Sequence, residues 1–200
     1  LHVAKDKHSD KHAIMFIEHH IISDHIGVEI IIKELMAYLN GDTSQLLPQV
    51  PYRQFVASIL QQDQQQAKQY FTEQLGHISR PTLPYQLNNT QGTATDVIHH
   101  KKLLPVPLAK SIREISKRYN TSPASVFHSA WALVVARANA YSEITFGTVM
   151  SGRLGQLTND VDNTDAMLGM FINTLPLCIN LTGLNAEELL KLIQHKMQAL

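Results

Sequence analysis

Apolar and polar positions along the chain alternate between two periods. Ala13–Ile17 is a short continuous apolar run, the pattern of a buried strand. Ile26–Leu39 changes to helical spacing, with Val28, Ile31, Ile32, Leu35 and Leu39 on one side and Glu29 one turn before Lys33. Asn40-Gly41-Asp42 supplies the glycine expected just past a helix end. Tyr52–Leu75 predicts one or two helices, with the glutamines between Gln61 and Gln66 on a solvated face. Periodicity dissolves after Gly76, and residues 81–94, with Pro81 and Pro84, read as a linker.

Beyond the linker, Thr95–Leu104 reads as a strand and Leu108–Tyr119 as a helix with Leu108, Ile112 and Ile115 inward. Ser122 followed by Pro123 is an N-cap with proline at the first helical position. The helix it opens carries Val126, Phe127, Ala130, Trp131, Val134 and Val135 on one face. Glu143–Val149 reads as a strand, Ser151–Asp165 as a polar loop, and Gly169–Leu181 as one strand or two, bent at Pro176. Asn185 with Glu188 three residues on is a capping-box pattern for a last helix. Strands alternating with helices place the chain in the α/β (α+β) class.

Composition narrows the functions open to such a chain. Apolar residues make up 44% of 200 residues, enough for a packed core. Lys plus Arg balances Asp plus Glu at 17 each, so nothing favours a nucleic-acid partner. No apolar run approaches the roughly 20 residues that span a bilayer, so no membrane partner is expected. One cysteine, Cys178, rules out an internal disulfide and a CxxC zinc site and reads as a core residue. A cytoplasmic setting fits best. The chain starts at Leu1 and stops at Leu200 within an amphipathic pattern, so it reads as cut from a longer protein.

The segment His19-His20-Ile21-Ile22-Ser23-Asp24-His25 stands where a strand gives way to a helix. A histidine held there can act as a base near neutral pH, and Ser23 and Asp24 are also good capping residues. A histidine pair at a strand end is otherwise an ordinary surface pair. An HxHxDH zinc site needs a histidine at position 22, where Ile22 stands. The HxxxxD spacing of glycerolipid acyltransferases is met by His19 and Asp24, but no downstream phosphate block accompanies it. His20 and Asp24 meet the HxxxD of plant alcohol acyltransferases without a DFGWG block. His99 and His100 face opposite sides of their expected strand and read as surface residues, as do His8 and His12; His128 lies on the polar flank of its helix. No metal site is expected.

Four blocks in order give the segment its meaning. His19-His20 with Asp24 resembles the HHxxxDG motif of condensation domains of nonribosomal peptide synthetases, with His25 in place of the family's glycine. Pro51–Val56 resembles the YxDFAxW block without its Asp and Trp. Phe146–Arg153 resembles the FGxxxSGR strand and turn, and Leu168–Pro176 the (V/L)GxFxNTLP block. The resemblance implies a chloramphenicol-acetyltransferase-like two-lobe fold, only part of it present. Residues 1–80 would be the end of the first lobe with the HHxxxD loop, and 95–200 the start of the second. It implies amide (peptide) bond formation between a donor acyl or peptidyl thioester and an acceptor aminoacyl thioester. Both are carried on phosphopantetheine arms of upstream and downstream carrier proteins beside an adenylation domain, and no cofactor is bound directly. His20 would be the catalytic residue in a tunnel between the lobes, His19 a supporting one, and Asp24 would pair with Arg153 across the lobes. His25, Gly152 and Asn173 would lie on the tunnel or acceptor side, although Asn173 reads first as a structural, backbone-bonding residue. Epimerisation of a carrier-bound residue, or non-catalytic docking, are the alternatives, and the FINTLP form favours condensation. The 200-residue piece alone is expected to be inactive.

Overall fold

The computed structural model describes residues 1–87, 98–153 and 164–200. In chain order these form β1 (His2–Lys5), β2 (His12–Met15), α1 (His25–Asn40), α2 (Arg53–Gln61), α3 (Gln64–Leu75), α4 (Val106–Arg118), α5 (Pro123–Asn139), β3 (Glu143–Ser151), β4 (Ile172–Asn180) and α6 (Ala186–Ala199). Single 3-10 turns lie at Pro84–Gln86 and Thr164–Ala166. Two compact units share the chain: Leu1–Gln64 with Val149–Asn173, and Gln65–Thr148 with Thr174–Leu200.

In the first unit, β1 and β2 pair antiparallel with Val3 opposite Ile14. Asp6 closes their turn by accepting from the His8 N–H at 2.9 Å and the Ser9 hydroxyl at 2.6 Å. The strand expected at Ala13–Ile17 exists, shifted to His12–Met15, but it is exposed rather than buried. A two-stranded ribbon covers neither of its own faces, so the apolar run has the residues of a core strand without a layer over it. α1 spans the expected helix plus one residue at each end, closed by Gly41 in the left-handed region (φ 72°). Phe55 on α2 packs with Met167 and Phe171 to form the core here, joined by Val50, Tyr52 and Ile59. The Phe55 and Phe171 rings lie 4.4 Å apart, and Tyr52 meets Phe171 edge-on at 5.3 Å.

The core of the second unit comprises Ala132 and Val135 of α5, Ile144 of β3, Leu177 and Ile179 of β4, and Leu189 and Ile193 of α6. β3 and β4 run antiparallel: Leu181 N–H bonds Ser142 O at one end and Gly152 N–H bonds Phe171 O at the other. Both predicted caps form. The Ser122 hydroxyl accepts from Ser125 N–H, and Asn185 and Glu188 complete the capping box of α6.

The helix faces differ from the periodic reading. On α5, Val135 is buried and Val126 half-buried, but Phe127, Trp131 and Val134 are exposed; Ser125 and Ala132 are buried instead. Small side chains let helices approach closely, and Gln194 of α6 accepts from both the Ser125 hydroxyl and the Ser122 N–H at 2.7 Å. Hydrophobicity marks a stripe, whereas close approach selects its small edge. On α4, likewise, Ser116 is the buried residue, its hydroxyl satisfied by Ile112 O at 2.8 Å, while Leu108 and Ile115 stay exposed and Ile112 is half-buried. Of the strand expected at Thr95–Leu104, residues 95–97 lie outside the described residues and 98–104 form no strand; with Pro105 and the N-terminus of α4 directly after, the stretch is a helix approach. β4 runs unbroken from Ile172 through Pro176 and starts three residues later than expected. Parts of the expected linker (88–94) and polar loop (154–163) also lie outside the described residues.

Candidate active site

Asp24 begins the site because it has two tasks. As N-cap of α1 it accepts the Gly27 N–H at 2.9 Å through Oδ1. It also receives Arg153 side-on, Nε to Oδ2 at 3.2 Å and Nη2 to Oδ1 at 3.0 Å. Both side chains are 1% exposed. The remaining guanidinium nitrogen, Nη1, donates to the carbonyls of Thr164 and of Met167, the latter at 2.9 Å. The guanidinium carbon sits 3.9 Å over the Phe171 ring. Four donors are thus spent inside the unit, which is what a buried charge requires.

Burial pushes the Asp24 carboxyl toward its neutral form. The Arg153 and Gly27 hydrogen bonds and the Arg153 charge outweigh it, leaving the pKa below the ordinary carboxylate value. Tyr52 shifts the other way: burial, then the Asp24 charge, raises its phenol against the opposing pull of Arg153. Its hydroxyl donates to Met170 O, and its ring fills the space beside Gly169, where a Cβ would meet Tyr52 Cδ2 at 2.0 Å. Gly152 sits less tightly against Phe55, a Cβ there meeting Cζ at 3.2 Å.

His19 and His20 lie in the turn before α1, both exposed. His20 Nδ1 is 3.2 Å from Ser23 O. A carbonyl only accepts, so Nδ1 carries the proton and the Nε2 of neutral His20 holds the lone pair. His19 is bound in the opposite sense, its Nδ1 accepting Ile21 N–H at 3.0 Å. Ser23 is buried beneath this turn because Gly27 lacks a Cβ; one placed there would lie 2.0 Å from Ser23 Oγ. The turn can therefore present one imidazole nitrogen able to take up a proton, on a helix start held by a buried ion pair.

The structure brings Asp24, Arg153 and Gly152 together around Phe171, all within the first unit, with His19 and His20 tied to the adjoining turn. His25 is exposed as the first residue of α1, and Asn173 is exposed near the start of β4. Sequence reasoning paired Asp24 with Arg153 but missed the two carbonyls that Arg153 also holds. It also missed the Tyr52–Met170 bond and the Ser23 carbonyl that selects the His20 tautomer. Backbone acceptors leave no mark in residue identity; Gly27 and Gly169 were the available signals, marking close approaches without naming what approaches.

Comparison with known proteins agrees with this geometry. The family model described as "Condensation domain" matches residues 3–200. Malpinin synthetase of Mortierella alpina is 32% identical over 187 residues, 89% of this chain and 2% of that protein. Bacitracin synthase 3 of Bacillus licheniformis is 31% identical over 172 residues, 82% of this chain and 3% of that protein. Among solved structures, SgcC5 of Streptomyces globisporus superposes with a TM-score of 0.68 at 19% identity, over 90% of this chain and 42% of that one. The first condensation domain of the calcium-dependent antibiotic synthetase gives 0.65 at 15%, over 90% and 41%. The chain thus spans a few percent of the synthetases it matches and less than half of each solved domain. The fold is the mixed α/β (α+β), chloramphenicol-acetyltransferase-like one, present in part. Among the described residues no helix is long and apolar enough to cross a membrane. By the match over residues 3–200, the chain belongs to the condensation-domain family of nonribosomal peptide synthetases.

Proposed function

We propose that this chain supplies the histidine segment of an amide-forming condensation domain, with His20 as its catalytic residue. The observation that carries the reading is the His20–Ser23 contact, in which the carbonyl accepts from Nδ1–H and so leaves the lone pair of neutral His20 on Nε2. The donor acyl group arrives as a thioester on the phosphopantetheine arm of an upstream carrier protein, and the acceptor amine on that of a downstream carrier. The amine attacks the thioester carbonyl, a C–N bond forms and the C–S bond breaks. Nε2 of His20 takes the proton lost by the amine and passes it to the departing thiolate, which leaves as the thiol and returns His20 to its neutral form. An α-amine titrates only slightly above neutral, so modest base assistance suffices, and holding two tethered reactants in register supplies much of the acceleration. His19 supports the turn. Asp24 and Arg153 hold its position without touching substrate, and His25, Gly152 and Asn173 lie on the tunnel or acceptor side.

In this reading residues 1–80 come from one lobe and 95–200 from the other, with 81–94 between them, although as compact units 149–173 group with 1–64 and 65–80 with the later segment. The rest of the domain is needed to complete the tunnel. The neighbours are the two carrier proteins and an adenylation domain, in the cytoplasm; no nucleic acid and no membrane take part. A single-turnover assay on the complete domain, with both carriers loaded, tests the assignment. His20→Ala is expected to slow amide formation by about 10²–10⁴-fold with the unfolding transition unchanged, because the side chain is exposed. Amide formation near the wild-type rate in that variant overturns the assignment of His20. Inversion of the donor residue without amide product would place the chain with epimerisation domains. No chemistry in the wild type would leave a docking role.

A further inference from the structure

The second unit brings three side chains of different chemistry to one point. His77 follows Gly76 just after α3, Glu143 opens β3, and Cys178 lies in β4. Their ligating atoms, an imidazole nitrogen, a carboxylate oxygen and the thiol sulfur, all lie within 4.8 Å of one another. His77 Nε2 and Glu143 Oε1 are 3.0 Å apart.

The local structure explains the convergence. Leu177 and Ile179 point into the core, so Cys178 between them faces the other side of the β3–β4 pair. Glu143 is offset by one from the core residue Ile144 and shares that outer side. Cys178 is buried there nonetheless. The connector after α3 runs alongside: Thr145 N–H donates to Thr82 Oγ1 at 2.8 Å, and Arg80 stacks 3.5 Å over the Tyr141 ring. This contact line brings His77 to the end of β3. Read as sequence, Cys178 was a core residue with no partner motif; its partners are 35 and 101 positions away in the chain and only folding assembles them.

We propose that His77, Glu143 and Cys178 form a zinc-binding site that pins the connector after α3 to the β3–β4 pair. Sulfur, nitrogen and oxygen together suit borderline-soft Zn²⁺ rather than the all-oxygen cations. With bonds of about 2.0–2.3 Å, tetrahedral ligands sit about 3.3–3.6 Å apart, so the set closes with a shift of about 1 Å. His77 and Glu143 are exposed and can make it. Binding displaces the thiol proton; thiolate and carboxylate then balance the two charges of the ion, with His77 neutral. Three protein ligands leave the fourth position to water.

The test uses the complete domain, stripped of metal with a chelator and titrated with Co²⁺, whose thiolate complexes absorb in the near ultraviolet by charge transfer. One Co²⁺ per domain is expected to give that band, and Zn²⁺ to displace it. Cys178→Ser is expected to abolish it, and His77→Gln and Glu143→Gln each to weaken binding at least about tenfold. Should Cys178→Ser fail to fold, the two variants at exposed positions carry the test alone. A wild type without the band, a band that persists in folded Cys178→Ser, or unchanged affinity in both His77→Gln and Glu143→Gln overturns the site.

Discussion

Removing Arg153 perturbs the molecule most. Arg153→Ala leaves the Asp24 carboxylate buried with only backbone donors, and frees the Thr164 and Met167 carbonyls of their shared donor. Breaking one side of a buried ion pair costs about 3–5 kcal/mol, because the other charge is stranded. Near its melting point a chain of this size moves roughly 2–4 °C per kcal/mol, so the melting temperature should fall by roughly 6–20 °C. Asp24→Asn should cost a similar amount: it can still accept Gly27 N–H but strands the guanidinium. Arg153→Lys should fall between, since one ammonium cannot reach all four acceptors. Asp24→Asn with Arg153→Met leaves no stranded charge and should be less harmful than the sum of the single changes, which a double-mutant cycle measures.

The pH dependence gives a second, independent sign. The folded Asp24 pKa is lowered, so its contribution is fully present above the unfolded value near 3.9 and is lost as pH falls through the folded pKa. Without Arg153 the carboxylate loses its charged partner and two of its hydrogen bonds, so its pKa rises relative to wild type and acidification costs the variant less than it costs the wild type. The gap between the two should therefore narrow from pH 7 toward pH 3. Denaturant titrations at several pH values measure it. An Arg153→Ala protein within about 1 kcal/mol of wild type at pH 7, or a gap that widens on acidification, would refute the account.

Two further changes test the packing and the acceptor side. Gly169→Ala forces a Cβ to within 2.0 Å of the Tyr52 ring and should destabilise by about 1–3 kcal/mol; pairing it with Tyr52→Ala should relieve part of that cost, and full additivity by denaturation would argue against the contact. His25→Gly in the complete domain should favour a bulky carrier-bound acceptor over a small one relative to wild type. An unchanged ratio of the two rates removes His25 from the site, and a uniform collapse makes it part of the chemistry.

The sequence revealed most where a single residue has a local physical task. Gly41 marks a helix end through its left-handed backbone, and Ser122 and Asn185 through side-chain oxygens that accept backbone N–H groups, and all three do so in the structure. The Asp24–Arg153 pair was legible only through the resemblance of two blocks more than a hundred residues apart. Burial was read less well. Phe127, Trp131 and Val134 share the apolar stripe of α5 with Val135, yet close approach to α6 falls to Ser125 and Ala132. Periodicity reports which face can be buried, not which part of it meets a neighbour. The His20 tautomer was not legible at all, because a main-chain carbonyl sets it.

The division of labour between exposed and buried groups follows from what each must do. A base that meets a tethered amine has to be reachable, so His20 cannot gain rigidity from burial. Its turn takes rigidity from what lies next to it. Asp24 caps α1, Arg153 locks Asp24, and the remaining guanidinium donors hold Thr164 and Met167. Ser23 between them offers its carbonyl to His20 and tucks its side chain under Gly27. A charge pair of small net worth to stability can still be retained here, since a neutral apolar substitute would fill the volume without the directional bonds that fix where the turn begins.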